Sequence, residues 1–154
     1  METDLSREAI LTLTLELAAN QVGGTLATVH DQDSTPYPTY VLFHLTDDGE
    51  VIFGSTVDAQ HSRDMDATRE VAFLVDNREV IREDWTKFDR VIIEGAAEKV
   101  VVDDEQYDTL LTQLEGKSSM AARFAREGSL YRVSPHRLTL RRALGSEPGV
   151  IDFR

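Results

Sequence analysis

Ser55, Thr56, His61 and Arg63 are the residues of this chain whose types and spacing best suit chemistry. They lie in Val51–Asn77, which reads as strand, polar turn, short helix and strand. Val51-Ile52-Phe53 is a compact apolar run closed by Gly54-Ser55-Thr56, and Val71–Val75 is a second β-leaning run. The pattern predicts a helix over about Ala59–Ala67, with Asp58 placed to cap it. A helix that opens directly after a strand offers free amides and the positive end of its dipole, so an anion such as a phosphate is favoured there. Arg63 can add a bidentate contact and His61 a single one. The plainer alternative is a solvated polar helix face, in keeping with Asp58, Asp64 and Asp66 alongside.

The elements that must hold these residues follow from the rest of the chain. Leu5–Asn20 has helical periodicity, with an apolar stripe of Leu5, Ile10, Leu13, Leu17 and Ala9 or Leu15. Thr3 or Asp4 can cap it, and Gln21-Val22-Gly23-Gly24 ends it. Gly24–His30 and Pro36–Leu45 read as strands, and Asp47-Asp48-Gly49 as the hairpin turn into Glu50–Ser55. Asn77–Lys87 is a charged loop carrying Trp85. Together with Phe88, Trp85 suits a substrate mouth, a dimer contact or plain loop packing. Phe88–Val102 is the longest strand signal, and Gly95-Ala96-Ala97 in its middle suggests a bulge. Asp103–Glu115 reads as a helix with an Asp103/Gln106 capping box, ended by Gly116. A second helix over Ser118–Glu127 turns Met120 and Phe124 inward. Leu130–Val133 and Arg137–Leu140 alternate as two strands around Ser134-Pro135. The tail, Arg141–Arg154, suits either packing on a partner subunit or a loose end. Five or six short strands with helices at both ends predict an α+β domain, 1–154, around a small antiparallel barrel.

Composition removes several classes of function. The net charge of −12 argues against a nucleic-acid surface, which needs clustered Lys and Arg. With no Cys, disulfides, thiolate metal sites and Cys nucleophiles are excluded. No apolar run approaches the roughly 18–20 residues of a membrane span. METDLSRE does not resemble a signal peptide, so a cytoplasmic location is expected. His30, His44 and His136 lack metal-ligand spacing, so no metal is expected. Gly116-Lys117-Ser118 is no P-loop, because Leu111 stands where the first Gly is needed. Neither G-x-G-x-x-G nor G-x-S-x-G occurs.

Ala59-Gln60-His61-Ser62-Arg63-Asp64-Met65 followed by Val71-Ala72-Phe73-Leu74-Val75 resembles the A-x-H-[ST]-x-N-[LM] … V-A-L-L-V signature of FMN-binding split-barrel proteins. These are the relatives of pyridoxamine 5′-phosphate oxidase. Gly24–Val29, Pro36–Phe43, the Asp48-Gly49 hairpin and Phe88–Ala97 resemble further family elements in the same order. The resemblance implies a split β-barrel with flanking helices, a homodimer, and FMN at the subunit interface. It implies that His61 and Arg63 hold the flavin phosphate and that Ser55 and Thr56 contact phosphate and ribityl chain. Thr39 would lie near the flavin, with Tyr40, Val41 and Leu42 following along its ring. The implied activity is that of an FMN-dependent oxidoreductase, with the flavin carrying the electron chemistry. There are departures. Thr39 stands where oxidases of pyridoxamine phosphate carry Arg, Gln60 where Arg is often found, and Asp64 where Asn is common; no Lys lies near His44. These argue against oxidation of pyridoxamine phosphate itself. A non-catalytic flavin or small-ligand binder, or a heme- or F420-binding member of the fold, is the alternative.

Overall fold

The computed structural model describes residues 4–154. Seven strands form one antiparallel sheet: β1 (Gly23–Val29), β2 (Pro36–Leu45), β3 (Val51–Ser55), β4 (Glu70–Asp76), β5 (Asp89–Val100), β6 (Ser129–Arg142) and β7 (Gly149–Asp152). Their order is β3-β2-β1-β4-β5-β6-β7, and pairing of β3 with β6 closes the first six into a barrel. The helices are α1 (Arg7–Ala19), α2 (Gln60–Ala67), α3 (Tyr107–Lys117) and α4 (Ser119–Glu127), with two 3₁₀ turns over Arg78–Arg82 and Trp85–Lys87.

Alternation explains the barrel interior. On β2 the side chains of Val41, Phe43 and Leu45 are buried, and on β4 those of Val71, Phe73 and Val75. Period-two burial is what a strand with one core face requires. Phe43 meets the edge of Phe73 at 4.8 Å between centroids, and Phe53 stacks on Tyr131 at 5.6 Å. A second apolar cluster lies between α3, α4 and the barrel: Ile52, Val100, Leu110, Leu114, Ala121, Ala125 and Leu130. It requires Gly54, where a Cβ would fall 2.4 Å from the Ala125 backbone nitrogen and 2.5 Å from the Ala121 carbonyl oxygen.

Several local expectations are corrected. Ser6 caps α1, its hydroxyl accepting from the Ala9 amide, so Asp4 does not; Thr3 lies outside the described residues. The buried line of α1 is Ile10, Thr14 and Ala18, with Leu5 exposed and Leu11, Leu13, Leu15 and Leu17 flanking it. Asp58 does not cap α2: it sits at φ 66°, and the N-cap is Ala59, with no side-chain bond. The Asp103/Gln106 box does not form either. Asp104 accepts from the Gln106 amide instead, and α3 begins at Tyr107 and runs through Gly116 to a C-cap at Ser118. Met120 is exposed on α4.

Leu130–Val133 and Arg137–Leu140 belong to one continuous strand. The expected bulge is real, and it lets that strand bend. Glu94 pairs with Arg137 and Gly95 with Pro135, which leaves His136 without a β5 partner. Its carbonyl accepts from the Phe153 amide at 2.9 Å instead. Pro135, which has no amide to offer a ladder, is tolerated at this irregularity. β6 can therefore close the barrel against β3 with one half and pair β7 with the other. The tail is not loose: Gly149–Asp152 adds that outer strand, and Ile151 is buried in the main core beside Ile10.

Candidate functional site

The hairpin of β2 and β3 opens where the candidate residues begin. Pairing runs from Leu45–Val51 to Phe43–Phe53 and stops. In the same register Val41 would face Ser55 and Tyr40 would face Thr56. Instead, β3 ends and the chain turns into α2. On its other edge β2 stays paired with β1 from Pro36 to Leu42. The β2 edge from Pro36 to Leu42 that faces away from β1 thus has no strand partner among the described residues. Unpaired strand edges invite another chain or a ligand.

The four β2 candidates divide between two faces. Thr39 is half-buried and Val41 is 5% exposed on the core side, while Tyr40 points out with 64% exposure. Leu42 packs on the apolar cluster under α3 and α4. Of these, Tyr40 offers a free aromatic face. Its ring lies over Gly23, where a Cβ would fall 2.4 Å from the Tyr40 Cζ. Tyr40, Gly23, Val22, Arg78 and Glu79 border a cavity of about 450 Å³.

Ser55 and His61 turn inward. Ser55 is 1% exposed, and its Oγ lies 2.9 Å from both His61 Nε2 and Ser62 Oγ. Ser62 Oγ lies 3.0 Å from the Tyr131 hydroxyl, which donates to Asp66 at 3.1 Å. These contacts tie α2 to the barrel end. A Ser–His contact resembles a nucleophile with its base, but a serine this deeply buried offers substrate no approach. Burial holds the His61 imidazole below its ordinary pKa, against the pull of Asp64, so it is neutral at pH 7.

Arg63 and Thr56 turn outward. Both are exposed. The Arg63 guanidinium folds back on the first turn of α2, donating to the Asp58 carbonyl at 2.6 Å and to Gln60 Oε1 at 2.5 Å. Both acceptors are neutral, and among the described residues no carboxylate lies within ion-pair distance of Arg63. A helix start without a side-chain cap and an uncompensated guanidinium therefore share one corner.

Asp64, the nearest acid in sequence, is engaged elsewhere and does not pair with Arg63. Its carboxylate is fully buried and accepts from Thr28 Oγ1 at 2.7 Å, Gln60 Nε2 at 2.7 Å and the Asp31 amide at 3.0 Å. Burial pushes its pKa up, and these three hydrogen bonds outweigh that, holding the carboxyl below its ordinary value. Sequence reasoning treats Asp64 as a surface charge and misses this role. The available signal is an acid placed one residue before the apolar Met65 on a short helix. His30, Asp31 and Asp64 each bring one potential metal-ligand atom within 4.8 Å of the others, a grouping that chain spacing conceals. Both Asp64 oxygens are already taken by protein donors, so the group acts as a hydrogen-bonded clamp.

The family model for pyridoxamine 5′-phosphate oxidase matches residues 14–145. No curated protein matches by sequence. Among solved structures, a heme binding protein from Mycobacterium smegmatis is 17% identical with a TM-score of 0.80, over 96% of this chain and 60% of that one. This chain thus spans about three fifths of that protein's length. HutZ, a heme storage protein from Vibrio cholerae, is 18% identical with a TM-score of 0.64, over 92% of each chain. A FAD-binding protein from Mesorhizobium loti is 15% identical with a TM-score of 0.67, over 90% of this chain and 96% of that one. At these identities the likeness is one of fold. With six strands closed into a barrel, α2 laid across its end, and a family match over most of its length, the chain belongs to the pyridoxamine 5′-phosphate oxidase family.

Proposed function

We propose that this protein binds FMN and acts as a flavin-dependent oxidoreductase, with the flavin phosphate seated at the start of α2. The observation that carries this is the Arg63 guanidinium, held by neutral acceptors alone at an uncapped helix N-terminus. Thr56 adds an exposed hydroxyl at the same corner. Such a donor set fits a phosphate monoester: free amides, one cation and one hydroxyl. When bound, the flavin supplies the hydride or electron transfer. The chain's own residues hold and orient it: Arg63 and Thr56 at the phosphate, and the open β2 edge with Tyr40 along the ring. Ser55 and His61 act from below, tying α2 to β3. The unpaired edge from Pro36 to Leu42 fits a homodimer in which a second copy covers it and completes the flavin pocket.

The test is a titration of the purified chain with FMN, read by flavin fluorescence and visible absorbance, with heme and F420 run beside it. Saturable micromolar or tighter FMN binding by a particle of twice the 17.3 kDa chain mass supports the reading. Reduction of the bound flavin by a donor, followed by reoxidation by an acceptor, supports the enzyme. Tight binding without turnover leaves a flavin carrier. Heme binding in place of FMN, the behaviour named for the Mycobacterium and Vibrio neighbours, overturns the cofactor assignment.

A further inference from the structure

Gln60 occupies an unusual position between charges. Its Nε2 donates to two carboxylates, Asp64 Oδ1 at 2.7 Å and Asp31 Oδ1 at 2.9 Å. Its Oε1 accepts from the Arg63 guanidinium at 2.5 Å. The amide dipole is thus aligned at both ends, carbonyl toward the cation and NH₂ toward the anions. The fit leaves no freedom to flip, since either reversal sets donor against donor or acceptor against acceptor. The anchor for this arrangement is rigid: Asp64 is fully buried and pinned by Thr28 and the Asp31 amide.

We infer that Gln60 is a positioning residue that aims Arg63 at the α2 N-terminus and insulates it from Asp31 and Asp64. The inference rests on the phosphate seat proposed above and adds the reason that seat keeps its charge. Asp58, Asp64 and Asp66 flank Arg63 in sequence, and Gln60, which bonds Arg63, also bonds Asp31 and Asp64. A guanidinium free to swing would pair with one of them and lose its call on a ligand. A neutral side chain that bonds the cation on one end and two anions on the other prevents that pairing. The ligand class this favours is a phosphate monoester carried on a larger group, recognised by one oriented guanidinium and not by a cluster of cations.

The experiment compares FMN with riboflavin, which lacks only the phosphate, as ligands of the full chain. The readout is the ratio of their dissociation constants by fluorescence quenching. A residue that matters only for folding lowers both affinities and leaves the ratio alone. Wild type is expected to prefer FMN by at least about tenfold, and Arg63→Ala to abolish most of that preference. Gln60→Glu keeps the shape but sets a carboxylate against Arg63, and is expected to lower the ratio by about tenfold. Gln60→Met keeps the volume without the hydrogen bonds; it is expected to lower the ratio several-fold and decides the matter if the Glu variant does not fold. If both Gln60 variants keep the wild-type ratio while Arg63→Ala lowers it, the seat stands and the positioning role is refuted. If wild type shows no preference, or Arg63→Ala keeps it, the seat itself is wrong and the inference falls with it.

Discussion

Replacing Asp64 tests whether the clamp under α2 holds that helix to the barrel. Asp64→Ala removes the acceptor of three donors at once: Thr28 Oγ1, Gln60 Nε2 and the Asp31 amide. The three losses are unequal. Thr28 retains a fallback in the Tyr37 carbonyl at 3.3 Å, and Gln60 retains Asp31 at 2.9 Å. The Asp31 amide has no such fallback. A buried donor left unpaired costs about 1–3 kcal/mol, and hydrogen bonds to charged groups lie toward the upper end. Asp31 is itself exposed, so water can reach its freed amide and recover part of that bond; three partial losses, less the relief of a buried charge, come to about 2 kcal/mol, a sizeable share of an ordinary domain's stability. Asp64→Asn is the control. Its oxygen can keep the Asp31 and Gln60 bonds, and its NH₂ can face Thr28 Oγ1 once that hydroxyl donates to Tyr37. Its expected cost is within about 1 kcal/mol. The assay is urea unfolding followed by far-UV circular dichroism, reading the midpoint at constant slope. The pH arm follows from the depressed carboxyl. The unfolded chain takes up the proton before the folded one, so the charge's contribution is present above the ordinary carboxyl pKa of 3.8 and lost as the pH falls through the folded value. The Asn variant should lack that part of the acid slope. Equal costs for Ala and Asn, or an Ala cost under about 1 kcal/mol, would refute the clamp.

Two further outcomes are expected. Gly54→Ala drives a methyl into the backbone of α4, 2.4 Å from the Ala125 nitrogen, and should cost about 3 kcal/mol and lower the melting temperature measured by calorimetry. His61 is held below its ordinary value of 6.5 first by burial, so below that pH the unfolded chain binds a proton that the folded one resists. Stability should therefore decline as the pH falls from 6.5, and His61→Gln should flatten the decline without abolishing it. His44, depressed by burial and by Lys117, contributes with the same sign. A slope unchanged in the His61 variant would place the sensitivity elsewhere.

Much of the fold was legible in the chain because its information is local and periodic. Alternation along Pro36–Leu45 and Val71–Val75 marks strands with one core face, and Asp47-Asp48-Gly49 marks the hairpin from β2 into β3; Gly49 indeed adopts φ 86°. Gly95 marks the bulge, since a Cβ there would fall 2.2 Å from the Ser134 carbonyl oxygen. Caps were less legible. Asp58 has the right chemistry but sits at φ 66°, and Asp103 lies three residues before the actual N-cap, Gln106; capping depends on backbone position and geometry as much as on residue type. The final strand was invisible for a different reason. Gly149–Asp152 is too short to declare itself and becomes a strand only because the bent β6 leaves an edge for it.

The same division runs through the site. Residue types and order alone determined that an anion seat could form where Ser55-Thr56 leads into a helix bearing His61 and Arg63, since a strand followed by a helix start exposes amides whatever surrounds them. Tertiary structure alone decided which of those residues turn outward. His61 and Ser55 point into the barrel end and Arg63 points out, because a helix of eight residues must bury one side against β1 and β5 and leave the other to solvent. Only the folded chain brings Thr28 and Asp31 to Asp64, across more than thirty residues of sequence, and so turns one of several aspartates into a buried anchor that does not pair with Arg63.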